Sequence, residues 1–379
     1  MALYLQYNFQ IVQLGCQFWA ICQLLYEQLF MMGSSENIMD RTDLEESKGT
    51  ISVSLVHEAL MVAYSRGLDT RLILQKAEIA PEILHSAKAR IPVSAYARLW
   101  TALADHMNDE FFGMDSHPMR RGSYQLLSKM LLQAETLEKA VQDMLKFLNF
   151  ILDNLQVELQ LEQDKAYLVL HDQGPVKRMF SYATYLMLVH GLICWLSSQR
   201  VILDKIELRC MQPLDDQDYR VRFCEKIYYG ASQNRIEFSR HYLEIKIKKD
   251  KNAWYDFLKH TPQNLLVRYK NPDSLSFSIR KYLSELIPAE WPELTDIAAR
   301  FNLSETTMHR RLKYEGVSYQ QLKNDIRRDI AIEYLTHTDL SLQDISEQLD
   351  FHDASAFHRA FKKWTGVSPG TYRQNRSKL

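Results

Sequence analysis

From about residue 53, where the first regular pattern begins, hydrophobic residues recur at helical spacing. Leu55, Ala59, Leu60 and Ala63 lie three or four positions apart, and Gly67 ends the run. Further segments with this spacing predict helices over residues 92–106, 123–132 and 137–152. This part of the chain is therefore predicted to be helical.

The hydrophobic pattern changes to strict alternation at Leu155. Alternating residues over 155–161 and again from Tyr167, on either side of a short polar turn, predict a β-hairpin. The pattern beyond it predicts a buried helix over 176–196, helices over 215–224 and up to His260, and strands near 206–210, 236–238 and 243–247. Residues 51–262 are therefore predicted to form one α+β domain, which ends near Pro262 and the polar segment 271–273.

The region from about residue 275 carries no strand pattern and contains an internal repeat. Residues 297–303 align with 345–351, and residues 308–313 align with 357–362, at an offset of about 49 residues. Each copy ends in Gly-Val-Ser, beginning at Gly316 and Gly366. Each copy predicts a short helix, a tight turn and a second helix, so we expect an all-α domain over 275–379.

The second helix of the first copy has a polar face suited to DNA. Ser304 can N-cap this helix, and Met308 and Leu312 are spaced to face a core. The residues left on the outer face are Thr306, His309, Arg310 and Lys313. Arg can bond guanine in a bidentate manner, and a helix N-terminus favours a phosphate. A solvated helix face is the alternative, but it gives no reason to repeat His-Arg at the matching exposed positions of the second copy.

The segment between the copies, residues 318–335, predicts a connecting helix about 27 Å long. Such a helix can hold two DNA-reading helices about one turn of DNA, about 34 Å, apart.

The repeat resembles the DNA-binding domain of the AraC/XylS family of bacterial transcription regulators. The most specific stretch is residues 357–373, FHRAFKKWTGVSPGTYR, and the resemblance covers about 275–375. The preceding region is similar, more loosely, to the arabinose-binding-type effector domain of a large subgroup, through Gly67-Leu68-Asp69 and Arg90-Ile91-Pro92. The resemblance implies a cytoplasmic, DNA-binding transcription regulator that a small molecule controls through its N-terminal domain.

The resemblance also assigns roles to individual residues. The base-reading positions of the family fall on Thr306, His309 and Arg310 in the first motif, and on Ala354, Ser355, His358 and Arg359 in the second. Arg327 matches a linker-helix arginine with a structural or backbone-contacting role. The complete predicted DNA-binding set is Ser304, Thr306, Thr307, His309, Arg310, Lys313, Arg327, Ala354, Ser355, His358, Arg359 and Lys362.

Two residues of the second motif depart from the family pattern. Asp350 occupies a turn position where glycine is usual, and Ser346 stands where alanine is usual. A left-handed conformation at Asp350 costs about 1 kcal/mol, less than at a branched residue, so we expect the fold to persist.

Composition limits how such a protein can bind DNA. Hydrophobic residues make up 46% and charged residues 25%, as in globular proteins, and the net charge is −1. Residues 275–379 hold 15 Lys and Arg against 14 Asp and Glu, a net charge of only +1. Affinity is therefore expected to depend on where the charges lie rather than on bulk attraction.

The sequence gives little support to enzyme chemistry. It contains no GxxxxGK[ST], GxGxxG or HExxH motif, so we predict no catalytic residue, no cofactor and no metal. An enzyme or metabolite-binding protein centred on 52–260 is the alternative, although no paired nucleophile and base supports it. His190 and Cys194 lie four apart and could in principle bind a metal, but a core interpretation is favoured. Five cysteines without a CxxC pair fit a reducing compartment.

One long helix carries the candidates for a small-molecule pocket. They are Tyr182, Tyr185, His190 and Trp195, with ordinary core packing as the favoured alternative for each. Amino acids, fatty acids and aromatic acids all remain open as effectors. The predicted partners are promoter DNA, an unknown effector and, for an activator, RNA polymerase. The sequence leaves open activator against repressor and monomer against homodimer, and it predicts no membrane partner.

Residues 1–50 are treated as an extension of uncertain origin. The first 32 are apolar and aromatic, with Glu27 as the first charge, and lack the basic start of a signal peptide. Three interpretations stay open: a true start at Met31, Met32 or Met39, a membrane anchor, or an amphipathic appendage. Residues 33–50 are polar and predict a linker or tail.

Overall fold

A computed structural model of the chain describes residues 49–266, 275–315 and 317–373. The predictions for residues 1–48 lie outside the described residues. Thr50, the last residue of the predicted extension, opens a short strand.

Most helices of the N-terminal domain lie where the helical spacing predicted them, whereas those over 70–76 and 263–266 were not predicted. The helices of this domain are α1 (Val53–Ser65), α2 (Thr70–Lys76), α3 (Val93–Met107), α4 (Ser123–Met130), α5 (Leu137–Ile151), α6 (Met179–Ser197), α7 (Gln217–Arg222), α8 (Lys251–Lys259) and α9 (Gln263–Leu266). Short 3-10 turns lie at Pro81–His85, Leu131–Gln133 and Arg240–Glu244. The side chains of Ser52 and Asp69 cap the first two helices by accepting a backbone N–H of the first turn.

The strands of this domain form two sheets. They are β1 (Thr50–Ser52), β2 (Arg90–Pro92), β3 (Leu155–Leu161), β4 (Lys165–Asp172), β5 (Leu203–Glu207), β6 (Ile227–Tyr228) and β7 (Asn234–Ser239). β1 and β2 pair antiparallel, with Ile51 opposite Ile91. The larger sheet has the order β3-β4-β7-β5-β6, and only β5 and β6 run parallel. The predicted hairpin is confirmed, with Val157 opposite Leu170.

Two strand predictions need correction. The prediction of a strand over 243–247 is wrong, because Leu243 lies in a 3-10 turn and Ile245 and Ile247 only exchange backbone hydrogen bonds with Leu137 and Glu135. Alternating apolar residues can be buried one by one even where no neighbouring strand is available for regular pairing, so alternation alone does not establish a strand. The strand predicted near 206–210 is displaced and runs over Leu203–Glu207.

The long helix α6 lies at the centre of the N-terminal domain, and all of its residues are buried. By length and composition it is the one helix, within the described part of the chain, that could span a membrane, and here it is enclosed by protein on every side.

The C-terminal domain is all-α, as predicted. Its helices are α10 (Leu275–Ser284), α11 (Leu294–Arg300), α12 (Glu305–Tyr314), α13 (Tyr319–His337), α14 (Leu342–Gln348), α15 (Ala354–Thr365) and α16 (Pro369–Arg373). We refer to α11–α12 as the first motif, to α14–α15 as the second motif and to α13 as the linker helix.

The two motifs belong to different hydrophobic clusters. A compact cluster around Ile297, Met308 and Leu312 contains the first motif, α10 and the first half of the linker helix. The second motif, including Phe357 and Phe361, joins the large cluster that also forms the core of the N-terminal domain.

Candidate nucleic-acid interface

Each motif turns through one residue in the left-handed conformation. Asn302 has φ 53° in the first motif, and Asp350 has φ 59° at the equivalent position of the second. The expectation for Asp350 is therefore confirmed. Asn and Asp tolerate this conformation better than branched residues do, which is why both turns form without glycine.

The first motif presents α12 as the sequence predicted. Ser304 Oγ accepts a hydrogen bond from the backbone N–H of Thr307 at 3.2 Å, so it caps the helix. Met308 and Leu312 are fully buried on the inner face. These contacts fix the rotation of α12 and determine which side chains point outward.

The predicted DNA-contacting side chains of α12 lie on its exposed face. Thr306, His309, Arg310 and Lys313 are all exposed. Thr307 is half-buried, and its hydroxyl accepts a hydrogen bond from Ser304 at 2.9 Å. Within the described residues, the His309 and Arg310 side chains take part in no hydrogen bond or ion pair, so both can bind an external partner.

The second motif presents α15 in the same way, with Phe357 and Phe361 buried beneath it. Its N-terminus is capped by Asp353, whose carboxylate accepts the Ala356 backbone N–H at 2.7 Å. That hydrogen bond is the main reason why the pKa of Asp353 is lowered. This cap was not predicted from the sequence, although an Asp directly before a helical run is a typical signal.

The outer face of α15 matches that of α12. Ser355, His358, Arg359 and Lys362 are exposed, and Ala354 is half-buried at the start of the helix. The two His-Arg pairs are thus both on exposed faces of capped helices, one in each motif.

Arg327 lies between the two motifs and is engaged by protein. Its Nε donates to the Leu349 carbonyl oxygen at 3.0 Å, and its Nη2 lies 3.4 Å from Asp350 Oδ2. Its guanidinium also lies over the Trp291 ring, 4.8 Å from the centroid. Trp291 belongs to the cluster of the first motif, so Arg327 joins the two motifs, as a structural role requires.

Each of the four predicted ligand-binding residues is buried in α6. Tyr182 donates its hydroxyl to Asp172 at 2.8 Å, and Trp195 stacks on Phe257 with 4.4 Å between ring centroids. Tyr185 is fully buried, and its hydroxyl has no hydrogen-bond partner among the described residues. Tyr182 and Trp195 therefore meet different partners, Asp172 and Phe257.

His190 is a core histidine in this structure. Its Nε2 lies 2.8 Å from the Val201 carbonyl oxygen and 3.4 Å from Cys194 Sγ. Burial lowers the pKa of His190 to about 4 and raises the pKa of Cys194 to about 11. Over the described ranges no group of three His, Cys, Asp or Glu side chains is placed to hold a metal ion.

Comparison with known proteins identifies both domains. A family described as the arabinose-binding domain of AraC transcription regulator, N-terminal, matches residues 67–247, and a helix-turn-helix domain family matches residues 297–375. The ornithine utilization regulator of Pseudomonas aeruginosa is 23% identical over 327 residues, which are 86% of this chain and 96% of that protein.

Other similar proteins match over shorter ranges or at lower identity. The virulence regulon transcriptional activator VirF of Shigella flexneri is 36% identical over 98 residues, 25% of this chain and 37% of that protein. The crystal structure of the transcriptional regulator CdpR from Pseudomonas aeruginosa is 18% identical and covers 89% of this chain and 100% of that one, with a TM-score of 0.28.

A domain with two helix-turn-helix motifs therefore follows an α+β domain of the arabinose-binding type. The chain belongs to the AraC family of bacterial DNA-binding transcription regulators. This family is not enzymatic, so the alternative of an enzyme centred on 52–260 is set aside.

Proposed function

We propose that this regulator is sequence-specific and inserts α12 and α15 into successive major grooves of promoter DNA. The observation that carries the proposal is the pair His309-Arg310 and its equivalent His358-Arg359, both exposed on capped helices. Arg donates two hydrogen bonds to guanine, and His reaches base edges. The 19-residue linker helix is about 28 Å long, which suits motifs held one DNA turn apart.

The other predicted residues divide by chemistry. Thr306, Ala354 and Ser355 lie near the helix N-termini and suit base-edge contacts. Ser304 and Thr307, with the N-terminus of α12, suit a phosphate, as do the ammonium groups of Lys313 and Lys362. Arg327 acts through its protein contacts, by holding the two motifs in register.

The first experiment is binding of the full chain to pooled fragments of its own genome at about 50 and 200 mM salt. Enrichment of a few promoters, with affinity that falls steeply as salt rises, supports the proposal. Arg310→Ala and Arg359→Ala should each weaken binding to an enriched site by about 1–3 kcal/mol and relax the preference at one or two bases.

Arg71→Ala is the matched control, because Arg71 is a highly exposed arginine of the N-terminal domain, far from either motif in sequence. It should leave affinity and base preference unchanged. Unchanged binding and preference in both Arg310→Ala and Arg359→Ala would remove these residues from the interface.

The N-terminal domain is proposed to bind the effector that controls DNA binding. Tyr182, Tyr185, His190 and Trp195 remain the predicted contacts, and Tyr185 has the strongest support. A buried hydroxyl without a partner costs about 1–3 kcal/mol, and a ligand that accepts its hydrogen bond would recover part of this.

Thermal unfolding with amino acids, fatty acids and aromatic acids tests this assignment. Tyr185→Phe should keep or raise the stability of the free protein, because it removes an unsatisfied hydroxyl, and should lose the stabilisation that the effector gives. Tyr182→Phe is the contrasting variant, since it breaks the bond to Asp172 and should destabilise the free protein. An effector that stabilises Tyr185→Phe as much as the unmodified chain would exclude Tyr185.

Three further features of the proposal follow from the family. A cytoplasmic location fits a protein that must meet promoter DNA in a bacterium. RNA polymerase is the expected partner if the regulator activates transcription, and transcription in vitro from an enriched promoter tests it. A homodimer would read two half-sites, and light scattering of the full chain decides whether it forms.

A further inference from the structure

Six charged side chains form a network of two groups of ion pairs, joined through the Thr50 hydroxyl, where the N-terminal domain meets the linker helix. The guanidinium groups balance the carboxylates three to three, and each side chain is at most about a quarter exposed. The members are Arg90, Asp218, Arg280, Asp325, Arg328 and Asp329.

The N-terminal side of the network is built on β1 and β2. Arg90 Nη2 lies 2.7 Å from Asp218 Oδ1, in the first turn of α7, and Arg90 Nε donates to Thr50 Oγ1 at 2.8 Å. The Thr50 hydroxyl then donates to Asp329 Oδ1 at 2.7 Å. One hydroxyl group therefore relays the hydrogen bonding of the N-terminal domain to the linker helix.

The other side of the network reaches the first motif. Asp329 also lies 3.0 Å from Arg328 and 3.6 Å from Arg280 Nη1, while Arg280 Nη2 lies 3.8 Å from Asp325. Arg280 belongs to α10, whose Ile279 is fully buried in the cluster of the first motif. Burial opposes ionisation of Asp329, but the neighbouring guanidinium groups outweigh it, and the pKa of Asp329 is lowered.

The second motif and the helix that follows it, α16, are held to the N-terminal domain by different groups. Ser86 Oγ donates to the Thr365 carbonyl oxygen at 2.7 Å, and the Tyr372 hydroxyl donates to the Arg90 carbonyl oxygen at 2.8 Å. Hydrogen bonds between the domains thus reach the linker helix, α16 and the C-terminal end of α15. The first motif is joined to the linker helix by its shared core, by Arg327 and by the ion pairs of Arg280 with Asp325 and Asp329.

We propose that Thr50, Arg90, Asp329 and Arg280 are positioning residues that fix the first recognition helix relative to the second. This inference rests on the proposed reading of DNA by both helices. The second motif shares a core with the N-terminal domain, so it has a fixed place. The first motif has a separate core, which it shares with the first half of the linker helix, and the charged network ties α10 and this helix to the N-terminal domain. The network thereby determines the distance between the two DNA segments that the recognition helices of one chain can bind at the same time.

Thr50→Val in the full chain is the sharpest test, because it removes the relaying hydroxyl and keeps the side-chain size. Thr50→Ser restores the hydroxyl, and Ser86→Ala breaks the separate contact to the second motif. The first measurement needs no DNA. Hydrogen–deuterium exchange should become at least several-fold faster over 275–284 in Thr50→Val, with α6 unchanged as a test of intact folding.

The variants should separate the two contacts. Ser86→Ala should speed exchange over 357–373 and leave 275–284 unchanged, and Thr50→Ser should behave as the unmodified chain. Equal exchange over 275–284 in Thr50→Val and the unmodified chain would overturn the coupling, whatever the protein binds.

The second measurement uses a duplex selected by the full chain from a random-sequence pool, with one base pair inserted between its two contacted elements. The insertion shifts the elements by about 3.4 Å and rotates them by about 35°. Binding by the unmodified chain and by Thr50→Ser should fall about tenfold or more, while Thr50→Val should lose less than about threefold.

Equal losses in Thr50→Val and the unmodified chain would refute the positioning role. If no duplex is selected, the proposed reading of DNA fails, and the exchange measurement still decides whether the network couples the domains.

Discussion

The two helix-turn-helix motifs are similar in sequence and local geometry, yet they occupy different surroundings. The first packs Met308 and Leu312 into a cluster shared with α10, Trp291 and part of the linker helix. The second packs Phe357 and Phe361 into the same cluster as the N-terminal domain. A repeat in sequence therefore specifies the turn, the caps and the exposed face of each motif, but not the hydrophobic core against which the motif packs.

The side chains themselves explain the difference in part. The second motif places aromatic residues where the first has Met and Leu, and these rings extend the core toward β2. Phe361 lies edge-on to Tyr372 with 5.2 Å between ring centroids, and Tyr372 bonds the backbone of Arg90. Edge-to-face pairs add about 0.5–1.5 kcal/mol beyond the area that they bury.

The largest expected effect on stability comes from replacing one large core side chain of each motif by alanine. Phe361→Ala should destabilise the protein by about 3–5 kcal/mol and shift the unfolding of the N-terminal domain as well, because the two share one cluster. Leu312→Ala should cost about 2–5 kcal/mol, with the loss confined to the first motif. Urea unfolding combined with hydrogen–deuterium exchange by segment separates the two outcomes. Equal loss of N-terminal stability in both variants would contradict the comparison.

Acid should affect the two motifs differently through His190. Its folded pKa of about 4 lies below the ordinary 6.5, so the unfolded chain binds the proton more tightly. The stability that His190 contributes is complete above pH 6.5 and is lost as the pH falls toward 4. Between pH 7 and pH 5 the loss is about 2 kcal/mol.

His190→Gln is the control, since its amide can still donate to the Val201 carbonyl oxygen while it does not titrate. The unmodified chain should lose about 2 kcal/mol more than this variant between the two pH values. Exchange over 354–365 should rise with acid, and exchange over 305–314 should rise less. Identical pH profiles for both proteins would show that His190 is not the titrating group.

The smallest expected effect on stability comes from exchanging the residues at one equivalent position in the first helices of the two motifs. Ser346 is fully buried and its hydroxyl has no hydrogen-bond partner among the described residues, whereas the first motif has the buried Ala298. Ser346→Ala should therefore stabilise the second motif by about 1 kcal/mol, and Ala298→Ser should destabilise the first by a similar amount. Thermal unfolding of the two variants measures this, and a loss of stability in Ser346→Ala would mean that the hydroxyl has a partner.

The sequence predicted those features that depend on neighbours along the chain. Alternation over 155–170 was enough for the hairpin, and the pair Met308 and Leu312 was enough to orient α12. The three-residue strands β1 and β2 were too short to show a pattern, and they pair across about 40 residues of intervening chain.

Features that depend on distant residues were not predictable. Nothing local to Thr50 or Asp329 indicates a bond across 279 positions. The aromatic residues of α6 suggested a pocket, but the sequence could not decide between a pocket and ordinary core, because a helix buried on all sides has no polar face to orient it. Asp353 was a missed local signal, since its cap follows from residue type and position alone.

The bond between Tyr372 and Arg90 also bears on how the protein is made. It joins residues 282 positions apart, so β2 leaves the ribosome long before its partner is synthesised. The N-terminal domain and the first motif can fold in that order as they emerge. The contact through Tyr372 forms only when the last described helix is complete, and until then the Arg90 carbonyl oxygen lacks this partner. A chain that is cut before residue 354 should therefore carry one finished motif and expose part of the cluster that the second motif shares with the N-terminal domain, which is a signal for chaperones and proteases.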